Sequence, residues 1–130
     1  MPITKRLKSG DISEDSIQKT VIHWTRLHPV LKHVVIHIPN EGKRSPQYGR
    51  NLKAMGMMPG VWDLLVACGR HGYIGAWIEL KSANGILSPY QIAFGKHMEQ
   101  QNYYTTVCYS IDDAIKKIEW YYNGSQNGTP

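Results

Sequence analysis

The 130-residue chain has only two cysteines, one phenylalanine and no apolar run approaching a bilayer span, which takes about 20 residues. Cys68 and Cys108 each stand alone inside an apolar stretch, without metal-type spacing. They read as small buried hydrophobes, which excludes a disulfide framework and fits a reducing compartment. The opening "MPITKRLKSGDISED" lacks the apolar segment of a secretory signal. The expectation is a soluble cytoplasmic protein with no membrane association. Six histidines are present, but no H-E-x-x-H and no cysteine pair accompanies them, so a zinc site is not expected. The length suits one domain with one core.

Acidic residues are scarcer than basic ones, 10 against 15, for a formal charge of +5 and a pI near 9.3. The deficit is local. No acid occurs between Gly42 and Trp62, where Lys43, Arg44, Arg50 and Lys53 all fall. This segment either holds a nucleic-acid backbone or another anion, or is a solvated basic loop.

Periodicity outlines the elements. In "SEDSIQKTVIHWTRLH", Ser13 caps a helix whose first turn carries Glu14 and Asp15, and Ile17, Val21, Trp24 and His28 recur at helical spacing. "HVVIHIP" reads as a strand, and residues 46–55 as a short helix weakened by Gly49. Residues 61–68 and 73–80 read as strands of an antiparallel hairpin closed by "GRHG". "SPYQIAFGKHMEQQ" starts a helix at Ser88, with Pro89 in its first turn and Gln91 completing a capping box. "NYYTTVCYS" is a further strand, and "SIDDAIKKIEWYY" a final helix with Ile111, Ile115, Ile118 and Tyr122 on one face. Strands as apolar as "VWDLLVAC" and "YIGAWIEL" require cover on both faces, so the expected class is α/β with a mixed central sheet. Residues 1–11 form a basic N-terminal arm, 12–122 the domain and 123–130 a tail expected to be disordered.

Three charges interrupt the two apolar hairpin strands: Asp63, Glu79 and Lys81. Residues two apart on a strand share a face, so Glu79 and Lys81 project together, with Trp77 beside them. Closing the hairpin brings Asp63, near the start of one strand, to the end of its partner. Two carboxylates in a poorly hydrated place require a proton or a cation. Oxygen ligands alone suit Mg²⁺ or Mn²⁺, and a lysine beside them can orient or deprotonate a water. The competing reading is a buried ion pair of Lys81 without chemistry, which leaves one carboxylate unmatched. Glu14 can either reach such an ion from the first helix or simply favour that helix's positive end.

These residues, in order, resemble a known family. Glu14, "NEG" at 40–42, "GMMPGVWDLLVA" with Asp63, "IELK" with Glu79 and Lys81, and "LSPYQ" with Gln91 are similar to the blocks of the VRR-NUC domain, a branch of the PD-(D/E)XK nucleases. The resemblance spans roughly residues 12–120. It implies a three-layer α/β/α nuclease core and metal-dependent phosphodiester hydrolysis. It further implies that Glu14, Asp63, Glu79 and the Leu80 backbone carbonyl hold Mg²⁺ or Mn²⁺, that Lys81 serves the attacking water, and that Gln91 stands near it. One departure is visible: the family commonly has proline directly before its metal aspartate, and this chain has Trp62 there, with Pro59 four residues before Asp63.

Stand-alone members of that family resemble viral and bacterial enzymes that cut branched DNA, such as Holliday junctions, as homodimers. The expectation is therefore a structure-selective DNA endonuclease of DNA repair type, with the segment from Lys43 to Lys53 on the backbone, working in the cytoplasm of a bacterium or a virus-infected host cell. Alternatives are a flap or other DNA nuclease of the same fold, or a non-catalytic DNA-binding module. A non-catalytic module would be marked by loss of one of the three charges, and none is lost.

Overall fold

The structure, a computed structural model, describes residues 12–40 and 46–126. Its elements are α1 (Glu14–Arg26), α2 (Leu31–Val34), β1 (Val35–His37), α3 (Pro46–Ala54), β2 (Leu64–Val66), β3 (Ala76–Leu80), α4 (Pro89–Gln100), β4 (Tyr104–Cys108) and α5 (Ile111–Tyr122). The strands form one mixed sheet in the order β1-β2-β3-β4. β1 and β3 both pair antiparallel with β2, and β3 runs parallel to β4. This is the expected α/β class with a mixed sheet.

Every residue of β3 is buried, because helices cover both of its faces. Ile78 and Leu80 point into the main core with Ile17 and Val21 of α1 and Ala114, Ile118 and Tyr121 of α5. Trp77 points the other way, edge-on to Phe94 of α4 with ring centroids 5.0 Å apart. Period-two alternation therefore sends aliphatic side chains to one layer and Trp77, Glu79 and Lys81 to the other.

Helix ends follow local chemistry. Ser13, Ser88 and Ser110 each accept a backbone N–H in the first turn of α1, α4 and α5. The Ser88–Gln91 capping box is complete in both directions.

Four expectations require correction. The stretch before β1 is not strand throughout: residues 31–34 form α2, because His28 Nδ1 accepts from the N–H groups of Val30 and Leu31, both at 3.0 Å. That side-chain cap outweighs the β-branched composition. The hairpin strands are shorter than residues 61–68 and 73–80, so Asp63 immediately precedes β2 rather than lying within it. The buried aromatic of α5 is Tyr121 rather than Tyr122; its hydroxyl donates to the Cys68 carbonyl at 2.7 Å and accepts from the Arg70 N–H at 3.2 Å. The chain after α5 is held as far as Gln126, since the Ser125 carbonyl accepts from the His71 N–H and Gln126 bridges to Arg70. Residues 1–11, which include the basic arm, and 127–130 lie outside the described residues.

The loop before β2 is clamped to α4. Gly60 has φ +88°, and a Cβ there would stand 2.5 Å from the Tyr90 backbone carbon. A Cβ on Gly95 would stand 2.6 Å from Trp62 Cζ2. Gly60→Ala therefore combines left-handed strain with a backbone clash and should cost about 2 kcal/mol or more in denaturant unfolding; unchanged stability would show that the clamp is absent.

Candidate active site

The hairpin register places Leu64 opposite Ile78, so the residue before β2 meets the end of β3. The Asp63 N–H donates to Glu79 Oε1 at 3.2 Å, and the Leu80 N–H donates to Asp63 Oδ2 at 2.9 Å. Gln91 Nε2 donates to Glu79 Oε2 at 2.8 Å, and Lys81 Nζ lies 3.6 Å from the same oxygen. Asp63, Glu79, Lys81 and Gln91 thus meet where the sheet opens toward the start of α4.

Gln91 has two tasks at once. Its Oε1 accepts from the Ser88 N–H at 2.9 Å to complete the cap, which turns Nε2 toward Glu79. Capping and site positioning are one geometry.

Glu14 stands to one side. Its Oε2 accepts from the Ser82 N–H at 3.4 Å, at the edge of the site, and the residue is exposed. Arg50 and Lys53 lie exposed on α3, without a hydrogen bond or ion pair to these groups among the described residues. Lys43, Arg44 and Glu41 lie outside the described residues.

Charge is unbalanced at this spot. Glu79 is 2% exposed and Lys81 9% exposed, so two carboxylates share one buried ammonium. Burial pushes the Glu79 carboxyl up to about 8; the Asp63 charge adds to the rise, and Lys81 and the Asp63 N–H oppose it. Burial likewise raises Asp63, against the Leu80 N–H, which favours its charged form.

Several residues that shape the site carried no sequence signal for it. His37 Nδ1 lies 2.8 Å from the Asp63 carbonyl oxygen, which also accepts from the Ile38 N–H at 3.1 Å. Trp62, standing where proline was expected, is buried and donates its indole N–H to the Gln91 carbonyl at 2.8 Å. Asn40, with its amide oriented to satisfy its neighbours, accepts from the N–H groups of Gly60 and Val61, each at 3.2 Å. Gly85 makes room for the lysine stem, since a Cβ there would stand 2.9 Å from Lys81 Cβ. The "NEG" and "GVWD" blocks contain two of these residues, but nothing in the spacing indicates which groups they hold.

Among the described residues no three His, Cys, Asp or Glu side chains gather into a closed metal cage. The donors offered are two carboxylates and, on the strand edge that the Leu80 N–H shares, its backbone carbonyl. Each carboxylate has about four lone-pair sites, so Glu79 can keep its protein donors and still accept a cation. Such a sparse, all-oxygen set fits an ion that retains most of its waters, as Mg²⁺ does.

A solved structure described as a VRR_NUC domain protein superposes with a TM-score of 0.78 at 25% sequence identity, covering 92% of this chain and 96% of that one. No family model matches the sequence, and no curated protein does. The fold and the carboxylate–lysine cluster place the chain in the class of nuclease-type α/β folds. More narrowly, it has the VRR-NUC domain fold.

The raised Glu79 carboxyl gives a signed prediction. Between the ordinary glutamate value of 4.5 and about 8 the folded chain binds more protons than the unfolded one. Stability in chelator should therefore be fully present below pH 4.5 and fall by a few kcal/mol as pH rises through 8, each pKa unit being worth about 1.4 kcal/mol. Glu79→Gln should flatten this slope in urea titrations at stepped pH, and a slope kept by the variant would assign it elsewhere.

Proposed function

We propose that the chain is a Mg²⁺- or Mn²⁺-dependent deoxyribonuclease that cuts branched DNA, Holliday junctions included, as a homodimer. The observation that carries this is the meeting of Asp63, Glu79 and Lys81 at the open end of a VRR-NUC sheet. Asp63, Glu79 and the Leu80 carbonyl are the groups that would hold the ion, with Glu14 at the margin. Once bound, such an ion polarises the scissile phosphate and lowers the pKa of water.

The chain's own groups do the rest. Lys81 orients the attacking water and shields the charge that builds on the phosphate. Gln91 keeps Glu79 aimed into the site while its other amide atom stays fixed by Ser88. Water attacks phosphorus in line with the 3′ oxygen, the P–O3′ bond breaks, and the products are a 3′-hydroxyl and a 5′-phosphate.

Support for a shape-selective substrate comes from charge. Arg50 and Lys53, with Lys43 and Arg44 nearby in sequence, offer sequence-independent phosphate contacts rather than base reading. A four-way junction has two equivalent strands to cut, and a two-fold dimer presents two equivalent sites. Exposed Met58 and Tyr90, on the two segments joined at Gly60, supply apolar surface of the kind a partner copy covers. The free thiols of Cys68 and Cys108 support a reducing, cytoplasmic setting.

The test is cleavage of labelled linear, flap and four-way-junction DNA with Mg²⁺, Mn²⁺ or chelator. Junction cutting should require the ion and be abolished by Asp63→Ala or Glu79→Ala, and Lys81→Met should lower turnover while leaving DNA affinity nearly intact. Chelator-resistant cleavage, or full activity in either alanine variant with normal folding, would refute the proposal.

A further inference from the structure

A second feature lies on the α1 side of the sheet, the face opposite α4. Between α1 and edge strand β1 lies a groove of about 490 Å³, lined by Gln18, Lys19, Ile22, His23, Arg26 and His37. Helical spacing explains the α1 set: positions 18, 19, 22, 23 and 26 fall on one face. None of the lining residues is acidic; Asp15, one turn before Lys19, is the nearest acid along that face. Lys19, His23 and Arg26 are exposed, and among the described residues none of them forms an ion pair with a carboxylate.

His37 joins this groove to the active site. It lines the groove, and its ring nitrogen lies 2.8 Å from the carbonyl oxygen of Asp63. The groove and the carboxylate cluster therefore adjoin through one residue, at the point where β1 meets the loop before β2.

The geometry points to a sugar–phosphate backbone as the occupant: we propose that the groove holds the nucleic-acid strand flanking the scissile phosphate. The seven helical steps from Lys19 to Arg26 rise about 10 Å, which matches about three nucleotide steps at 3.4 Å of axial rise per strand. Lys19, His23 and Arg26 would face successive phosphates, while Ile22 and the lysine stem line the apolar floor against sugars. A peptide adding to the β1 edge is disfavoured, because Arg26 Nη1 already donates to the Val35 carbonyl at 3.0 Å and to the Lys32 carbonyl at 3.3 Å. This assignment rests on the nuclease reading and extends it to a contact surface apart from α3.

Binding of labelled duplex and four-way-junction DNA, measured by fluorescence anisotropy in chelator over a series of salt concentrations, tests it. Wild type should bind, and Lys19→Ala combined with His23→Ala should weaken binding by about 3- to 10-fold and reduce the salt slope by about one. Both side chains are exposed, so circular dichroism of the variant should match wild type. Lys116→Ala, on α5 outside the groove, should bind like wild type. Wild-type affinity and slope in the double variant, or an equal loss in Lys116→Ala, would overturn the groove while leaving the nuclease reading in place. Failure of wild type to bind any of the DNAs in chelator would likewise overturn the groove, whereas the nuclease reading stands or falls on the cleavage assay.

Discussion

Glu79 is the constraint around which the rest of this molecule is arranged. It sits on a strand with all residues buried, yet receives an N–H from Asp63, an amide N–H from Gln91 and the ammonium of Lys81. Desolvating an anion costs several kcal/mol unless donors and cations surround it. One lysine cannot neutralise two ionised acids, so without a further cation one of them holds a proton, and burial makes that one Glu79. A structural ion pair would have needed only one carboxylate, and the second supports the proposed cation site.

The scaffold makes that arrangement rigid from three sides. The hairpin register sets Asp63 against the end of β3. The capping box of α4 aims Gln91 at Glu79, and the Trp62 indole ties the loop before Asp63 to the same helix turn. Asn40 and His37 fasten that loop from the β1 side. The Trp62, Asn40 and His37 bonds involve backbone atoms of the loop and helix, so they fix where the strands stop without occupying a carboxylate oxygen.

Much of this was legible in the sequence because it depends on short-range rules. Alternation placed Glu79 and Lys81 on one face, the "GRHG" turn brought Asp63 to them, and serine caps marked α1, α4 and α5. What escaped depends on contacts between segments distant in the chain. His28 converts the start of an apparent strand into α2 through its ring nitrogen, and no propensity encodes that. Tyr121 rather than Tyr122 enters the core because the hairpin end offers its hydroxyl a carbonyl and an N–H. The positive face of α1 beside His37 was also invisible, since it becomes a groove only when β1 is laid next to it.

The central claim is that Asp63 and Glu79 are poised for a divalent cation, and calorimetric titration of Mn²⁺ into the chelator-stripped protein at pH 7 tests it most directly. Run in two buffers of different ionisation heat, it also counts protons. With Glu79 titrating at about 8, the account predicts saturable binding that releases protons, since the ion must displace the one Glu79 holds at that pH. Heats that show no saturable binding, or binding that survives Glu79→Gln with the same proton count, would contradict it.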